Sequence, residues 1–239
     1  MSKIYWVGNS SVWLKPRVPE KPEYAMPLVE EAVLETAFSP VFDGMKRLSQ
    51  DAAVACISKP TQRMKLQPTG LNPAWKMFDW PDYPAVLKTS ASWENLGITF
   101  NTISEPMHYL NEYAPELLRK GVMEERIDGE HYQFDGVVLD GEVQYLSMIR
   151  QEWNTELNKI TKYVLADHPV WIDSIYKAIH AIGLDNSPFC VEIVVSPSRV
   201  TLPYIIEVNA RLGEDTRLPD IICGGEDPLK KIEEICNAE

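Results

Sequence analysis

Two strand-like segments near the C-terminus constrain the fold of this chain more than any other feature. The segments Phe189–Val195 and Pro203–Asn209 are rich in apolar residues and are separated by a short loop. Because successive side chains of a strand point to opposite faces, an antiparallel pairing places Glu192, Glu207 and Asn209 on one face. The pairing also sets Glu192 opposite Glu207, with side chains about 5 Å apart. The other face then carries four core residues, namely Val191, Ile193, Ile206 and Val208.

The polar face of this hairpin is suited to a divalent cation. Two carboxylates side by side on a largely apolar sheet repel each other and lose hydration unless a cation lies between them. Mg²⁺ is the expected ion and Mn²⁺ the alternative, because both prefer carboxylate, amide and water oxygens. The competing interpretation is a hairpin whose polar side faces water. The pattern therefore predicts either a metal site at Glu192, Glu207 and Asn209 or a half-exposed sheet.

Composition and charge exclude several classes of function. The chain has 239 residues, of which 45% are hydrophobic and 24% charged, as in a globular protein with a sizeable core. With 35 acidic and 23 basic residues the net charge is −12, which argues against general nucleic-acid binding and against anionic membranes. No leader or membrane-spanning segment is recognisable, and the cysteines lack metal-site spacing, so we expect a reducing cytoplasm. The four cysteines are Cys56, Cys190, Cys223 and Cys236.

The periodicity of the sequence predicts an α+β fold with antiparallel pairings. The first 40 residues, which are punctuated by prolines, suggest an irregular arm with one short strand at Lys3–Val7. Helices are predicted at Phe42–Ile57, Glu105–Lys120 and Pro169–Ile182. Further strands are predicted at Ala85–Lys88 and Ile98–Asn101, and a three-stranded meander at Val122–Ile127, Tyr132–Leu139 and Glu142–Met148.

The second strand of the hairpin continues into a distinctive run, IIEVNARLGED at Ile205–Asp215. Its carboxylate, amide, Arg211 and Gly213 suit a metal, phosphate oxygens and a tight turn. Together with the preceding strand FCVEIVV, this block resembles the last conserved motif of the ATP-grasp superfamily. The resemblance implies two α+β lobes whose antiparallel sheets grip a nucleotide. It divides the chain into a short N-terminal arm at 1–41, a small lobe with the phosphate loop at 42–121, and a large lobe with the adenine strand and the metal hairpin at 122–239.

Two lysines resemble the phosphate-binding lysines of that superfamily. Lys88 ends an apolar strand and precedes a loop with Ser90 and Ser92, as in the block that covers the nucleotide phosphates, although the family loop is richer in glycine. Lys59 matches the first phosphate-contacting lysine. Two other lysines compete for the role of Lys59, namely Lys46 and Lys65. Without the resemblance, lysines at such positions are ordinary surface charges.

The segment Gly121–Val143 resembles the part of the superfamily fold that passes the adenine edge. The match places four consecutive residues there, Glu124, Glu125, Arg126 and Ile127. Glu124 takes the place of the adenine-edge acid and Ile127 that of the backbone donor. His131 stands where the family often has the acid that holds the ribose, and Glu130 lies beside it. Taken alone, the charged run is typical of a solvated surface cluster.

The resemblance implies an ATP-dependent ligase that joins a small-molecule carboxylate to an amine through an acyl phosphate. Lys88 would hold the phosphates, and Arg211 would stabilise the transferring phosphoryl group or the tetrahedral intermediate. We expect Glu207→Gln to cut turnover while the stability of the apo protein stays level or rises, because Glu192 loses a like-charged neighbour.

The alternative function is that of a nucleotide-binding subunit, which relies on a partner chain for its acceptor site. A homodimer is compatible with the ligase and with the subunit. The short arm and several tryptophans suggest such an interface, because aromatic residues favour interfaces. Core packing is the competing interpretation of these tryptophans. They are Trp6, Trp13, Trp75 and Trp80.

Overall fold

The computed structural model describes residues 2–8, 19–77, 85–88, 97–100, 121–154, 159–166, 171–213 and 227–238. The strands in these ranges are β1 Ile4–Val7, β2 Tyr24–Pro27, β3 Trp75–Met77, β4 Ala85–Lys88, β5 Gly97–Phe100, β6 Val122–Glu125, β7 Glu130–Leu139, β8 Glu142–Asn154, β9 Lys159–Leu165, β10 Ser187–Val195 and β11 Tyr204–Asn209. The α-helices are α1 Ala32–Phe38, α2 Gln50–Ile57, α3 Lys59–Leu66, α4 Ile172–Ile182 and α5 Pro228–Ala238, and two 3₁₀ turns cover Pro40–Phe42 and Gln67–Thr69.

Two antiparallel sheets dominate the structure. The smaller sheet has the strand order β3-β6-β4-β5, and the larger has the order β11-β10-β7-β8-β9. All pairings within both sheets are antiparallel, which confirms the predicted α+β class. Helices α2, α3 and α4 pack on one face of the larger sheet and bury the main hydrophobic core there.

The N-terminal arm is more ordered than the sequence suggests. The described part of residues 1–41 contains β1 and β2, which pair in parallel, and the helix α1. Trp6 is only 3% exposed, and its indole N–H donates to Glu233 of α5 at 3.2 Å. The arm shares a second core with Val137 and Leu139 of β7. Trp6 is therefore a core residue, and its suggested interface role is wrong.

Two other tryptophans of that set, Trp13 and Trp80, lie outside the described residues, and Trp75 is half-buried in β3. The predicted helix Glu105–Lys120 and the first residues of the predicted helix Pro169–Ile182 also lie outside them. The remainder of the latter helix is α4, which ends as predicted at Gly183, whose φ of 81° is the left-handed conformation that favours glycine.

The helix predicted at Phe42–Ile57 is shorter in the structure. It begins at Gln50, because the Ser49 hydroxyl accepts a hydrogen bond from the Ala52 N–H and caps the first turn. The preceding residues form a 3₁₀ turn at Pro40–Phe42 and an irregular connection. A local cap thus overrides the apolar spacing on which the prediction rested.

The meander predicted from Val122 to Met148 is only partly correct. Strands β7 and β8 form a hairpin around the predicted turn Asp140–Gly141. Strand β6, however, pairs with β3 and β4 of the smaller sheet. Residues 126–129 therefore cross from one sheet to the other. At Gly129 an added Cβ would lie 2.7 Å from the carbonyl carbon of Val195, so this crossing requires glycine.

The hairpin β10–β11 has the predicted register near its polar residues. Glu192 lies opposite Glu207, and Cys190 lies opposite Asn209. One residue beyond this pair the register shifts, so that Ile193 faces Ile205. Ile206 is the extra residue of the resulting β-bulge. Ile205 is consequently buried in the core and Ile206 only half-buried, which corrects the core position predicted for Ile206.

None of the helices in the described part of the chain is long and apolar enough to span a bilayer. Three of the four cysteines are described, and all three are buried, namely Cys56, Cys190 and Cys236. Cys223 lies outside the described residues.

Candidate active site

The carboxylates of Glu192 and Glu207 project from adjacent strands of the larger sheet, and we call them the carboxylate pair. Their Cα atoms are direct partners in the ladder between β10 and β11. Glu207 is also ion-paired with the ammonium group of Lys59, whose side chain is 6% exposed. The first residue of α3 therefore supplies a buried cation to the hairpin.

The two members of the carboxylate pair differ in acidity. Burial and the nearby charge of Glu207 raise the pKa of Glu192 to about 7. Burial also acts to raise the pKa of Glu207, but Lys59 more than offsets it and lowers the pKa overall. The positive charges of Lys59, Lys88 and Arg211 act on both carboxylates, so these cations surround the pair.

The polar face of the hairpin fits a divalent cation. The Oδ1 atom of Asn209 is buried and has no hydrogen-bond partner among the described residues. A buried amide oxygen without a donor is unfavourable unless something else contacts it. Two carboxylates and this oxygen form a hard-oxygen donor set of the kind that Mg²⁺ binds. The described residues contain no group of three or more His, Cys, Asp and Glu side chains that could hold a metal by themselves.

Helix α3 lines the outer edge of β11 with polar side chains. Gln62 donates from Nε2 to the carbonyl of Val208 at 2.8 Å and accepts from the Val208 N–H at 3.1 Å. Arg63 donates to the carbonyls of Ile205 and Ile206. Arg63 therefore supplies donors to two carbonyls at the bulge of β11. The α3 side chains thereby fix the edge strand that carries Glu207.

Sequence reasoning missed Gln62 and Arg63. A signal was available, because they follow Lys59 by three and four residues and so share one face of α3. Both are fully buried. This face of α3 is unusual because it carries charged and polar side chains although the helix packs on the core.

Glu124 lies at the junction of the two sheets and contacts two cations. Arg63 donates to both of its oxygens, from Nε at 2.6 Å and from Nη2 at 3.1 Å. The Lys88 ammonium lies 2.9 Å from Glu124 Oε2 and 3.3 Å from the Ile206 carbonyl. Burial acts to raise the pKa of Glu124, but Arg63 and Lys88 bring it down to about 2. Lys88 therefore bridges the smaller sheet and the β10–β11 hairpin.

Arg211 lies where the chain leaves β11, and it contacts the N-terminal arm. Its Nε donates to Glu30 Oε2 at 2.8 Å, and its Nη1 donates to the Leu212 carbonyl at 2.9 Å. Glu30, which sequence reasoning also missed, follows β2 and is 6% exposed. No local pattern distinguishes it from the neighbouring Glu31.

A buried polar network holds the turn that carries Arg211. Asp135 of β7 accepts from the Gly213 N–H at 2.9 Å and from Gln133 Nε2 at 2.7 Å. Gln151 of β8 donates to Gln133 Oε1 at 3.1 Å. Burial raises the pKa of Asp135 to about 6, although these two hydrogen bonds oppose the rise. The network links β7 and β8 to the turn.

The predicted adenine-edge residues lie along the crossing between the sheets. Glu125 is exposed and lines a cavity of about 460 Å³ together with Trp75, Arg199 and Tyr204. The Nε atom of Arg126 lies 3.3 Å from Oδ1 of Asp128. The side chain of Ile127 is half-buried.

His131 is half-buried at the start of β7. Burial and the charge of Lys88 lower its pKa, which places it within the field of the phosphate-lysine candidate. The predicted loop residues Ser90 and Ser92 lie outside the described residues. Of the lysines that competed with Lys59, Lys46 pairs with Asp140 at 2.6 Å and Lys65 donates to the Ile182 carbonyl at 3.2 Å.

No protein-family model matches this sequence, and no curated protein matches it either. Several solved structures, however, are similar to this chain. The L-amino acid ligase from Bacillus licheniformis matches 83% of this chain with 21% identity and a TM-score of 0.69. The D-alanine–D-alanine ligase from Bacillus anthracis, solved in complex with ATP, matches 79% of the chain with 17% identity and a TM-score of 0.58. An ATP-grasp superfamily protein from Archaeoglobus fulgidus matches 87% with 18% identity and a TM-score of 0.59.

Each match covers a smaller share of the similar protein than of this chain. The chain spans 51% of the L-amino acid ligase, 68% of the D-alanine–D-alanine ligase and 67% of the Archaeoglobus protein. The TM-scores show a common fold, and at these sequence identities the matches show the fold alone.

Proposed function

Because this chain has the ATP-grasp fold, we propose that it is an ATP-dependent ligase that joins a carboxylate to an amine and releases ADP and phosphate. The observation that carries the proposal is the carboxylate pair with the unpartnered Asn209 oxygen beside it, surrounded by cations. The names of the similar structures, an L-amino acid ligase and a D-alanine–D-alanine ligase, support substrates of this class.

The proposed reaction has two steps. A substrate carboxylate oxygen attacks the γ-phosphorus of ATP, the bond from phosphorus to the ADP oxygen breaks, and an acyl phosphate forms. The amine nitrogen then attacks the carbonyl carbon, the bond from carbon to the phosphate oxygen breaks, and the nitrogen loses a proton. Both steps develop negative charge on oxygen, which correctly placed cations stabilise.

Four residues would hold the metal and the phosphates. Glu192, Glu207 and Asn209 provide the oxygen donors for Mg²⁺, or for Mn²⁺ in its place, and a bound ion supplies charge neutralisation at phosphate oxygens. Lys88, which bridges the two sheets, is placed to hold the phosphates. Its stem packs in the smaller sheet while its ammonium group reaches the hairpin.

Lys59 would change partners during the reaction. In the structure its ammonium group is ion-paired with Glu207. A cation at the carboxylate pair would take over this contact, and the Lys59 ammonium would then be available to phosphate oxygens. Arg211, held by Glu30 and by the Asp135 network, would stabilise charge on the transferring phosphoryl group or on the tetrahedral intermediate.

The adenine would lie along the crossing between the sheets. The backbone of Glu125 to Ile127 would read its edge, and His131 lies near enough to Lys88 to approach the ribose. We further propose that Ser90 and Ser92 contact the phosphates. The side chain of Glu124 would serve chiefly to position Lys88, since Arg63 and Lys88 already engage both of its oxygens.

The test is turnover with ATP, Mg²⁺, a panel of small carboxylates and hydroxylamine as the amine. An acyl phosphate converts hydroxylamine to a hydroxamate, so we expect ADP, phosphate and hydroxamate in equal amounts. Glu207→Gln should abolish most of this activity, and Glu234→Gln on the exposed face of α5 should leave it unchanged. Formation of AMP and pyrophosphate would contradict the proposed chemistry.

A further inference from the structure

Glu30 places a buried carboxylate beside Arg211, in a segment remote in sequence from the other site residues. One of its oxygens, Oε2, accepts from Arg211 Nε at 2.8 Å. The other oxygen, Oε1, is buried and has no hydrogen-bond partner among the described residues. A buried carboxylate oxygen without a donor is unfavourable, because it has lost its hydration and gained nothing in return. No described residue therefore donates a hydrogen bond to Glu30 Oε1.

Glu30 belongs to the same neighbourhood as the carboxylate pair. The buried thiol of Cys56 has its pKa raised by burial and by the negative charges of Glu30 and Glu207, while Lys59 opposes the rise. Arg211, the partner of Glu30, acts in turn on both members of the carboxylate pair. The hydrogen bond to Arg211 therefore connects Glu30 to the side of the site that bears the carboxylate pair.

We infer that Glu30 and Arg211 together recognise an α-amino acid, whose ammonium group binds Glu30 Oε1 and whose carboxylate, facing Arg211, is the group that becomes phosphorylated. This inference rests on the proposed function and specifies the substrate that supplies the carboxylate. The ammonium and carboxylate groups of an α-amino acid are attached to the same carbon atom. The two side chains that would receive them are likewise in direct contact.

The charges of the site favour such a zwitterion. Among the described residues, the site carries ionisable side chains of both signs, with Glu30, Glu124, Asp135, Glu192 and Glu207 acidic and Lys59, Arg63, Lys88 and Arg211 basic. An α-amino acid adds no net charge to this set. A simple carboxylate adds one negative charge and leaves the Glu30 oxygen without a donor. Sites built to hydrogen-bond a substrate group discriminate strongly against analogues that lack it.

The alternative is that Glu30 serves only to hold Arg211. The two roles differ in one measurable quantity, the preference for amino acids over their des-amino analogues. A purely structural Glu30 would affect all carboxylates alike, whereas a recognition residue would affect only those with an ammonium group. Glu30→Gln separates the roles, because the amide oxygen can still accept from Arg211 but the charge that attracts ammonium is gone.

The experiment compares three matched pairs of carboxylates: L-alanine with propionate, L-phenylalanine with 3-phenylpropionate, and L-glutamate with glutarate. Hydroxamate formation with ATP, Mg²⁺ and hydroxylamine gives kcat/KM, and calorimetric titration in the presence of a non-hydrolysable ATP analogue gives Kd. In the parent protein we expect at least one amino acid to exceed its analogue by about tenfold or more in both quantities. In Glu30→Gln this ratio should fall at least about fivefold, and Glu31→Gln, an exposed neighbour, should keep the parent ratio.

Equal use and equal binding of both members of every pair by the parent would overturn the inference, while hydroxamate from the simple acids would leave the ligase proposal intact. An unchanged ratio in Glu30→Gln would also overturn it. If no carboxylate gives ADP, the proposed ligase activity fails, and the titrations alone decide whether Glu30 selects an ammonium group.

Discussion

The ammonium group of Lys59 is ion-paired with the carboxylate of Glu207 in a setting nearly closed to solvent. Among the described residues, no salt bridge reaches Glu192, which lies directly opposite Glu207 in the same hairpin. The two carboxylates are equivalent by sequence pattern but opposite in acidity, because one has a lysine in contact and the other has a like charge as its neighbour.

This difference predicts opposite effects on the apo protein. Glu192→Gln removes a buried charge that is repelled by Glu207. At pH values above 7, the thermal midpoint of this variant should therefore be higher than that of the parent. The gain should disappear as the pH falls toward 4.5, because the parent Glu192, whose pKa is raised to about 7, then becomes neutral as well. Glu207→Gln leaves Lys59 buried without its partner, so its midpoint should fall by several degrees.

The expectation that Glu207→Gln leaves stability level or higher is thereby revised, since it was based on Glu192 alone. Thermal unfolding without ATP and Mg²⁺, from pH 4.5 to 8.5, checks both variants. A Glu207→Gln protein more stable than Glu192→Gln at pH 8 would show that the Lys59 ion pair contributes little.

Turnover should respond alike to both substitutions. Each removes one of the charges proposed to hold the metal, so kcat/KM with Mg²⁺ and ATP should fall at least about 100-fold. The rise in thermal midpoint that Mg²⁺ and ATP give the parent should shrink in both variants. Full activity in either variant would mean that the polar face of the hairpin has a structural role.

Arg63 should be among the most important residues for folding. Replacement by Met leaves Glu124 with one cation and the Ile205 carbonyl without the Arg63 donor, which should cost about 3–5 kcal/mol of unfolding free energy. Arg63→Lys should recover only part of this loss, because an ammonium cannot reproduce the fork of hydrogen bonds.

The matched control for Arg63 is Arg150→Met. Arg150 is 41% exposed and pairs with Glu152 at 3.2 Å on the surface, so the loss should be below about 1 kcal/mol. Urea unfolding of the three variants measures the difference. Similar losses for Arg63→Met and Arg150→Met would refute a structural role for the buried cluster.

Asp135 should make the protein less stable as the pH rises from 4 to 7. Its pKa rises from 3.8 in the unfolded chain to about 6 in the fold, so above pH 6 the folded state bears the full penalty of a buried charge. At about 1.4 kcal/mol per pKa unit, the penalty approaches 3 kcal/mol. Asp135→Asn can still accept from Gly213, and the unfolding free energy of this variant relative to the parent should increase across this range. A constant difference from pH 4 to 7 would exclude titration of Asp135.

Gly129 should be needed for nucleotide binding as well as for stability. An alanine there would meet the Val195 backbone and displace the crossing that carries the proposed adenine edge, at a cost of about 1–3 kcal/mol. Gly141→Ala is the control, since it lies in the β7–β8 turn with φ at 85° and open space around its Cα. Both variants should be destabilised, but only Gly129→Ala should bind an ATP analogue more weakly by calorimetry.

The role of a partner chain stays a prediction, as do the segment boundaries at 41/42 and 121/122. Light scattering of the purified protein, combined with the hydroxamate assay, distinguishes a self-sufficient enzyme from a subunit. A monomer with full turnover would remove the need for a partner.

The sequence by itself determined the local features of this protein. Alternation along β10 and β11 was sufficient to place Glu192, Glu207 and Asn209 on one face, because side-chain direction in a strand depends only on position. The same holds for Gly183 at the end of α4 and for the Asp140–Gly141 turn, where glycine adopts a positive φ.

Tertiary structure alone decided which charges meet. Lys59 reaches Glu207, Arg63 reaches Glu124, and Glu30 reaches Arg211, over separations of up to 181 residues. No local pattern encodes such pairs, because each depends on how helix α3 and the arm pack against the larger sheet. The bulge at Ile206 also depends on tertiary structure. Alternation predicts an even ladder, and the packed structure interrupts that ladder where Arg63 and Lys88 contact the carbonyls of β11.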